Sequence, residues 1–209
     1  MKKILIADDH ALVRKGLVQI LKEEFPDATI TEVNNGNEVL EETHLKVWDV
    51  ILLDISMPGR NGIETLKQLR ANGVKAPVLM LSMHPEEQYA LRVLKSGASG
   101  FLNKQAANEE LLLAVHRILS GKKYITPYLA EKLADTLDGS GEKALHELLS
   151  DREMQVLQMI ANGKIVSEIA ATLSLSVNTI STYRSRILEK LQLNNNAELT
   201  RYAIDNNLV

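Results

Sequence analysis

The residues of this chain best suited to chemistry are polar groups that each stand at the end of a short apolar run. Asp8 and Asp9 follow residues 3–7, Asp54 follows residues 50–53, Ser82 follows residues 78–81, and Lys104 lies just past residues 100–102. If those runs are strands of one sheet, the five side chains converge on a single rim. Carboxylates held that close repel one another unless a cation separates them, and hard oxygen ligands with room for water suit Mg2+. A carboxylate can also act as a nucleophile and accept a phosphoryl group. The charge of that group calls for a metal, an ammonium and a hydroxyl donor, and Lys104 and Ser82 complete the set. Taken singly, each residue has a plainer role. An Asp pair after a strand caps a turn or helix, Ser82 is a loop hydroxyl, Lys104 a solvated lysine and Phe101 a core residue. Their joint placement after four runs of one series favours a site.

Such a rim requires a sheet whose strands point the same way. Residues 3–7, 28–33, 50–53, 78–81 and 100–102 read as five strands, and residues 12–24, 36–43, 63–72, 86–96 and 108–119 carry the three-and-four apolar spacing of helices. This (βα)5 alternation, with continuous apolar runs such as Val50-Ile51-Leu52-Leu53, predicts a doubly wound parallel sheet of flavodoxin-like α/β type, helices covering both faces. Thr126-Pro127 opens one more helix over residues 128–137, and Asp138-Gly139-Ser140-Gly141 reads as a flexible linker. Residues 1–121 are thus expected to form one domain, 122–147 a helical linker, and 148–209 a second, all-α domain.

In that second domain, Ser150-Asp151-Arg152-Glu153 is a capping box before the apolar positions Met154, Leu157, Ile160 and Ala161. A short helix over residues 168–173, the turn Ser174-Leu175-Ser176 and a longer helix follow, with a fourth helix over about residues 197–206. Capped helix, short helix, tight turn and longer helix is the spacing of a helix-turn-helix. With Ile180, Tyr183, Ile187 and Leu191 turned inward, the longer helix presents Asn178, Ser181, Thr182, Ser185 and Arg186, flanked by Thr179, Arg184 and Lys190. Small polar groups with basic margins suit base edges and phosphates, although an amphipathic helix facing solvent would look alike.

Composition sets outer bounds. At 209 residues, 45% hydrophobic and 24% charged, the chain is neither fibrous nor disordered. The absence of cysteine excludes disulfides, thiolate nucleophiles and Cys-zinc sites. Lys2-Lys3 is followed by only four apolar residues before Asp8, and no run approaches ~18 apolar residues, so a cytoplasmic protein without export or membrane insertion is expected. The net charge of −3 hides an even balance of six basic and six acidic residues in 148–209, so any nucleic-acid contact there must rest on one face.

Ala7-Asp8-Asp9-His10, Asp54-Ile55-Ser56-Met57-Pro58-Gly59, Leu81-Ser82-Met83 and Gly100-Phe101-Leu102-Asn103-Lys104 resemble the motifs of a response-regulator receiver domain. The resemblance implies that Asp54 accepts phosphate from a sensor histidine kinase. It implies that Asp9, Asp54 and the Ser56 carbonyl ligate Mg2+ with Asp8 bound through water, that Ser82 and Lys104 contact the phosphoryl oxygens, and that Phe101 turns inward on activation. Ser56 and His84 stand where the family tunes hydrolysis of the acyl phosphate. Lys104 is followed by Gln105 where many receivers have proline.

Leu149-Ser150-Asp151-Arg152-Glu153, Ile160-Ala161-Asn162-Gly163-Lys164, Glu168-Ile169-Ala170, and Ser176-Val177-Asn178-Thr179-Ile180 with Lys190-Leu191 resemble a LuxR-type helix-turn-helix. Together with the receiver they match the NarL/FixJ class. That class implies a transcription regulator that forms a homodimer on phosphorylation and binds double-stranded promoter DNA. Ile165 and Val166 depart from the polar opening usual for the second helix, and Ser181 stands where lysine is frequent. A haloacid-dehalogenase-like phosphatase would need a second acid two residues after Asp54, but residue 56 is Ser. A receiver acting only by docking a protein partner would have no use for residues 148–209.

Overall fold

The computed structural model describes residues 1–137, 144–206 and 208–209, so the linker sequence Asp138-Gly139-Ser140-Gly141 lies outside the described residues. The chain divides into two compact units, Met1–Ala134 and Asp135–Val209.

In the first unit, five strands alternate with helices as the apolar spacing predicts. They are β1 (Lys3–Ala7), β2 (Thr29–Val33), β3 (Val50–Asp54), β4 (Val78–Ser82) and β5 (Gly100–Asn103). Between and after them lie α1 (Ala11–Glu24), α2 (Gly36–Leu45), α3 (Gly62–Ala71), α4 (Glu86–Lys95), α5 (Asn108–Leu119) and α6 (Pro127–Leu137). The strands are parallel in the order β2-β1-β3-β4-β5, so the order reverses at β1, between β2 and β3. β3 and β4 are buried along their whole length and β1 from Ile4 onward, which is why these runs read as continuous apolar stretches. β2 lies at the edge and is buried only at Val33, so its sequence Thr-Ile-Thr-Glu-Val is mixed. At the opposite edge Tyr124 pairs with Gly100, and its amide donates to the Ser99 carbonyl at 2.8 Å. A Cβ on Gly100 would stand 2.9 Å from that of Tyr124, so only glycine admits the pairing. The Leu129 amide donates to Thr126 Oγ1 at 3.2 Å, giving α6 the cap that Thr126-Pro127 predicts.

The second unit holds a 3-10 turn (Leu145–Leu148) that the apolar spacing does not announce, then α7 (Asp151–Ala161), α8 (Val166–Leu173), α9 (Val177–Leu191) and α10 (Asn196–Asp205). Met154, Leu157, Ile160, Ile169, Leu173, Ile180, Ile187, Leu191 and Leu199 are buried together as its core. Ser150 and Glu153 form the predicted capping box, and Ser176 and Asn195 cap α9 and α10 through the amides of Thr179 and Glu198. Ile165 can offer α8 no such acceptor. Only the reverse arm is present, with Glu168 Oε2 accepting from the Ile165 amide at 2.9 Å. Ser174 closes α8 in the left-handed region, φ 55°, which starts the tight turn into α9.

One ion pair of this unit is internal. Lys190 Nζ donates to Glu153 Oε2 at 2.6 Å and to the Leu148 carbonyl at 3.2 Å, joining α9, α7 and the 3-10 turn. Burial pushes the Glu153 carboxyl up, but hydrogen bonds from Lys190 and Ser150 outweigh it and hold the group below its ordinary 4.5. Lys190→Ala would leave a buried carboxylate without its counter-charge, at an expected cost of about 2 kcal/mol; this is less than for a fully buried pair because Lys190 is 37% exposed. A depressed folded-state value means that the pairing stabilises the fold above pH 4.5 and that this contribution is lost as pH falls through the lower value. Urea unfolding of both proteins near neutral pH and at about pH 3 checks the sign, and a penalty of equal size at both would contradict it.

Candidate functional site

Parallel strands in register bring their carboxyl ends to one rim, and the sheet does so here. Ala7 pairs with Leu53, Asp54 with Leu81, and Ser82 with Asn103, so Asp8, Asp54, Ser82 and Lys104 begin the loops of four neighbouring elements. The rim lies where strand order reverses, the position at which open α/β sheets bind ligands. Asp8, Asp54 and Ser82 are fully buried. Lys104 Nζ stands 2.8 Å from Asp8 Oδ2 and 2.8 Å from Asp54 Oδ2, with its side chain only 4% exposed. Its amide donates to the Ser82 carbonyl at 2.8 Å, tying the loop after β5 to the end of β4.

Loops built from backbone contacts hold the carboxylates. His10 N donates to Asp8 Oδ1 at 2.8 Å, and Arg14 Nη1 donates to the Asp8 carbonyl at 2.6 Å while its Nε donates to Glu32. Ser56 N donates to Asp54 Oδ1 at 3.3 Å. The loop after Asp54 folds back until the Gly62 amide donates to the Ile55 carbonyl at 2.9 Å, and a Cβ on Gly62 would lie 2.0 Å from the Asp54 carbonyl oxygen. Arg14 and Gly62 carry no motif of their own. Arg14 is one basic residue on a helix, and the need for glycine at residue 62 arises only from the approach of α3 to β3.

Three carboxylates and one ammonium leave a formal charge of −3 + 1 = −2 at the rim, which one divalent cation neutralises. Asp8 Oδ2 and Asp54 Oδ2 are buried without a directed hydrogen bond, and the ammonium meets them as a short ion pair. Ligand atoms of Asp8, Asp9, His10 and Asp54 lie within 4.8 Å of one another, so the residues present fit a bound metal ion. Burial pushes the Asp54 carboxyl above its ordinary range while Lys104 pulls it back. The cluster can therefore bind a cation and present an oxygen nucleophile beside an ammonium.

The remaining receiver positions surround the cluster. Ser82 Oγ accepts from the His84 amide at 2.9 Å, and His84, whose ring burial pushes toward the neutral form, packs against Tyr89. Phe101 is buried outside the cluster, lining a cavity of about 270 Å3 with Glu86, Gln105, Glu110 and Thr126. The Lys104–Gln105 peptide is trans.

The second unit presents the face expected of α9. Asn178, Ser181, Thr182, Ser185 and Arg186 are exposed, Thr179, Tyr183 and Arg184 are partly covered, and Ile180, Ile187 and Leu191 are buried. Arg184 Nε donates to Asn196 Oδ1 at 2.6 Å. Thr182 Oγ1 and Ser185 Oγ donate to carbonyls one turn back, those of Asn178 and Ser181, leaving lone pairs outward. Lys190 is set apart from the other seven by its internal pairing with Glu153. Val177, exposed beside Asn178, is an apolar group that the polar pattern did not single out.

A parallel-sheet unit with a buried acidic rim, followed by a helix-turn-helix unit, defines a phosphorylation-type receiver joined to a regulatory DNA-binding module. Comparison agrees. Residues 4–116 match the response regulator receiver domain and residues 147–203 the bacterial regulatory proteins of the luxR family. The chain is 33% identical over its full length to the response regulator UvrY of Escherichia coli K12, covering 96% of that protein. It is 37% identical over 98% of its length to the transcriptional regulatory protein UhpA of the same strain, covering 99% of it. RcsB from Salmonella enterica serovar Typhimurium, bound to promoter rprA in the presence of the phosphomimetic BeF3-, superposes with a TM-score of 0.64 at 26% identity, covering 97% of this chain and 98% of that one. A structure of two RcsB dimers bound to two parallel DNAs superposes with a TM-score of 0.58 at 27% identity, over 96% and 97% of the two chains. The chain belongs to the response regulators of the NarL/FixJ class, and is a transcription regulator rather than an enzyme. Among the described residues no helix is long and apolar enough to cross a membrane.

The approach of Gly62 to Asp54 is directly testable. Gly62→Ala places a methyl against backbone that cannot move aside, and is expected to destabilise the first unit by about 3 kcal/mol. Denaturant unfolding reads the loss; a change within about 0.5 kcal/mol of wild type would show that the contact does not constrain the loop.

Proposed function

We propose that Asp54 accepts a phosphoryl group from the phosphohistidine of a sensor histidine kinase, and that the phosphorylated chain forms a homodimer on double-stranded promoter DNA in the cytoplasm. The observation that supports this best is the buried ion pair of Lys104 with both Asp8 and Asp54, which places an ammonium against the one carboxylate carried at the end of a central strand. In this proposal residues 1–121 are the receiver, 122–147 a helical linker and 148–209 the DNA-binding domain.

Asp9, Asp54 and the Ser56 carbonyl would hold Mg2+, with Asp8 engaging through water. The ion, when bound, neutralises charge on the phosphoryl oxygens. An oxygen of Asp54 attacks phosphorus, the P–N bond of the phosphohistidine breaks, and the departing imidazole nitrogen keeps the electron pair and takes a proton from solvent. Lys104, whose hold on Asp54 weakens as the carboxylate becomes an acyl phosphate and loses its charge, follows the new negative charge. Ser82 Oγ, now an acceptor for the His84 amide, has a hydroxyl proton to donate to the phosphoryl group. That donation draws the β4–α4 loop inward, and Phe101 repacks in its adjoining cavity. His84 and Ser56 flank the path of the water that hydrolyses the acyl phosphate.

On DNA, α9 supplies the recognition helix. Arg186 and Arg184 address phosphates, while Asn178, Thr179, Ser181, Thr182 and Ser185 face base edges. Because the hydroxyls of Thr182 and Ser185 spend their protons on the helix, they present acceptors to base amino groups. Lys190 supports the fold through Glu153 and adds a phosphate contact only when it leaves that partner. A single short helix buries little surface, so two copies on half-sites one helical turn apart supply the affinity. RcsB, which is similar over nearly the whole chain, is seen as dimers on DNA.

Asp54→Ala should abolish Mg2+-dependent incorporation of phosphate from acetyl phosphate while the protein remains folded. Acyl phosphate detected by mass spectrometry on the variant would sink the assignment. On DNA, Arg186→Ala should weaken binding to all sequences alike and lower the salt slope by about 1. Ser181→Ala, Thr182→Ala and Ser185→Ala should instead shift base preference by about 1 to 3 kcal/mol per position with the slope nearly intact. Selection of bound sequences from a random pool checks this, and unchanged preference in all three would move specificity to Asn178 or to DNA shape.

A further inference from the structure

His10 stands at the N-cap position of α1, and its ring faces the acidic rim. Nδ1 stands 2.8 Å from Asp9 Oδ1 and 3.4 Å from Asp8 Oδ1. Two ligands at right angles around an ion, each about 2.1 Å from it, stand about 3.0 Å apart, so these separations match neighbouring corners of an octahedron. The pocket behind them holds two fully buried carboxylate oxygens, Asp8 Oδ2 and Asp54 Oδ2, which share the single Lys104 ammonium at 2.8 Å each, so that one positive charge answers two negative ones. The backbone of His10 is anchored to the same cluster through its amide and Asp8 Oδ1, at 2.8 Å, whatever the ring does. The ring makes no capping bond to α1 and is 59% exposed, which lets Nε2 face water while Nδ1 faces the carboxylates.

We propose that His10 is a ligand of the cation held by Asp9, Asp54 and the Ser56 carbonyl, with Asp8 engaging through water, and that the site consequently favours borderline divalent ions such as Co2+ over Mg2+. This rests on the acidic rim being a cation site, and adds to it a nitrogen donor that the carboxylate chemistry alone does not require. Mg2+ binds through oxygen and gains little from an imidazole. Affinity for nitrogen ligands rises along the series from Mn2+ through Co2+ to Ni2+. One imidazole beside three carboxylates therefore changes which ion wins without altering the charge of the site.

The test uses the full chain, titrated with MgCl2 or CoCl2 in a calorimeter, and proton NMR of the Co2+-loaded protein for paramagnetically shifted imidazole signals. Wild type should bind Co2+ at least about tenfold more tightly than Mg2+, with a shifted, exchangeable imidazole N–H resonance. His10→Ala, at an exposed position without a side-chain capping bond, should fold normally. It should lose about tenfold in Co2+ affinity and the shifted resonance, while its Mg2+ affinity stays within about twofold. Mg2+ binding without an excess for Co2+, equal losses for both ions, or Co2+ binding without a shifted imidazole would overturn the role of His10 and leave the acidic site standing. Failure of wild type to bind either ion would overturn both.

Discussion

The contact of one ammonium with two buried carboxylates governs the first unit. Asp8 and Asp54 come from adjacent strands whose register is set by apolar pairing, so their approach is imposed by the core and not by mutual attraction. Two buried like charges at that spacing would oppose folding. Lys104, reaching in from beyond β5, offsets them and ties the far edge of the sheet to its centre. A residual charge of −2 persists with Asp9 counted, so the folded chain carries a standing demand for a cation. Any change at Asp54 alters the partner of Lys104 and, through the bond from its amide to Ser82, the end of β4.

The surrounding loops turn that demand into geometry. Gly62 lets α3 start against the backbone of Asp54, Arg14 clamps the Asp8 carbonyl, and the amides of His10 and Ser56 orient the two carboxylates. These contacts run through backbone groups and the Arg14 side chain, and none of them involves a ligand. They prevent the carboxylates from relaxing apart, which is what a preorganised site requires. The second unit follows a different logic. Its ion pair joins the buried Glu153 of α7 to the partly exposed Lys190 of α9, and the outward face of α9 keeps small polar groups.

Much of the architecture was readable in the chain. β3 and β4 are buried on both faces, so their apolar runs carry no competing pattern, and their first residues were placed correctly. β2, half exposed at the sheet edge, was placed one residue early, because Ala28 is buried just ahead of it. Helix starts marked by a capping residue, such as Ser150 and Ser176, were equally plain. The 3-10 turn at Leu145–Leu148 was not, since four residues are too few to establish a period.

Sequence alone determined which residues end the strands, and hence that Asp8, Asp9, Asp54, Ser82 and Lys104 share a rim, because parallel pairing of apolar runs leaves little freedom in where their ends fall. It also determined the polar face of α9, through the 3.6-residue repeat. Only the tertiary structure decided the partners. That Lys104 bridges two carboxylates, that His10 turns toward Asp9, that Gly62 tolerates no Cβ and that Lys190 is held by Glu153 all depend on contacts between segments distant in the chain or on the path of a loop. Periodicity reports the environment of a position, whereas a partner is set by three-dimensional approach, and no local pattern encodes it.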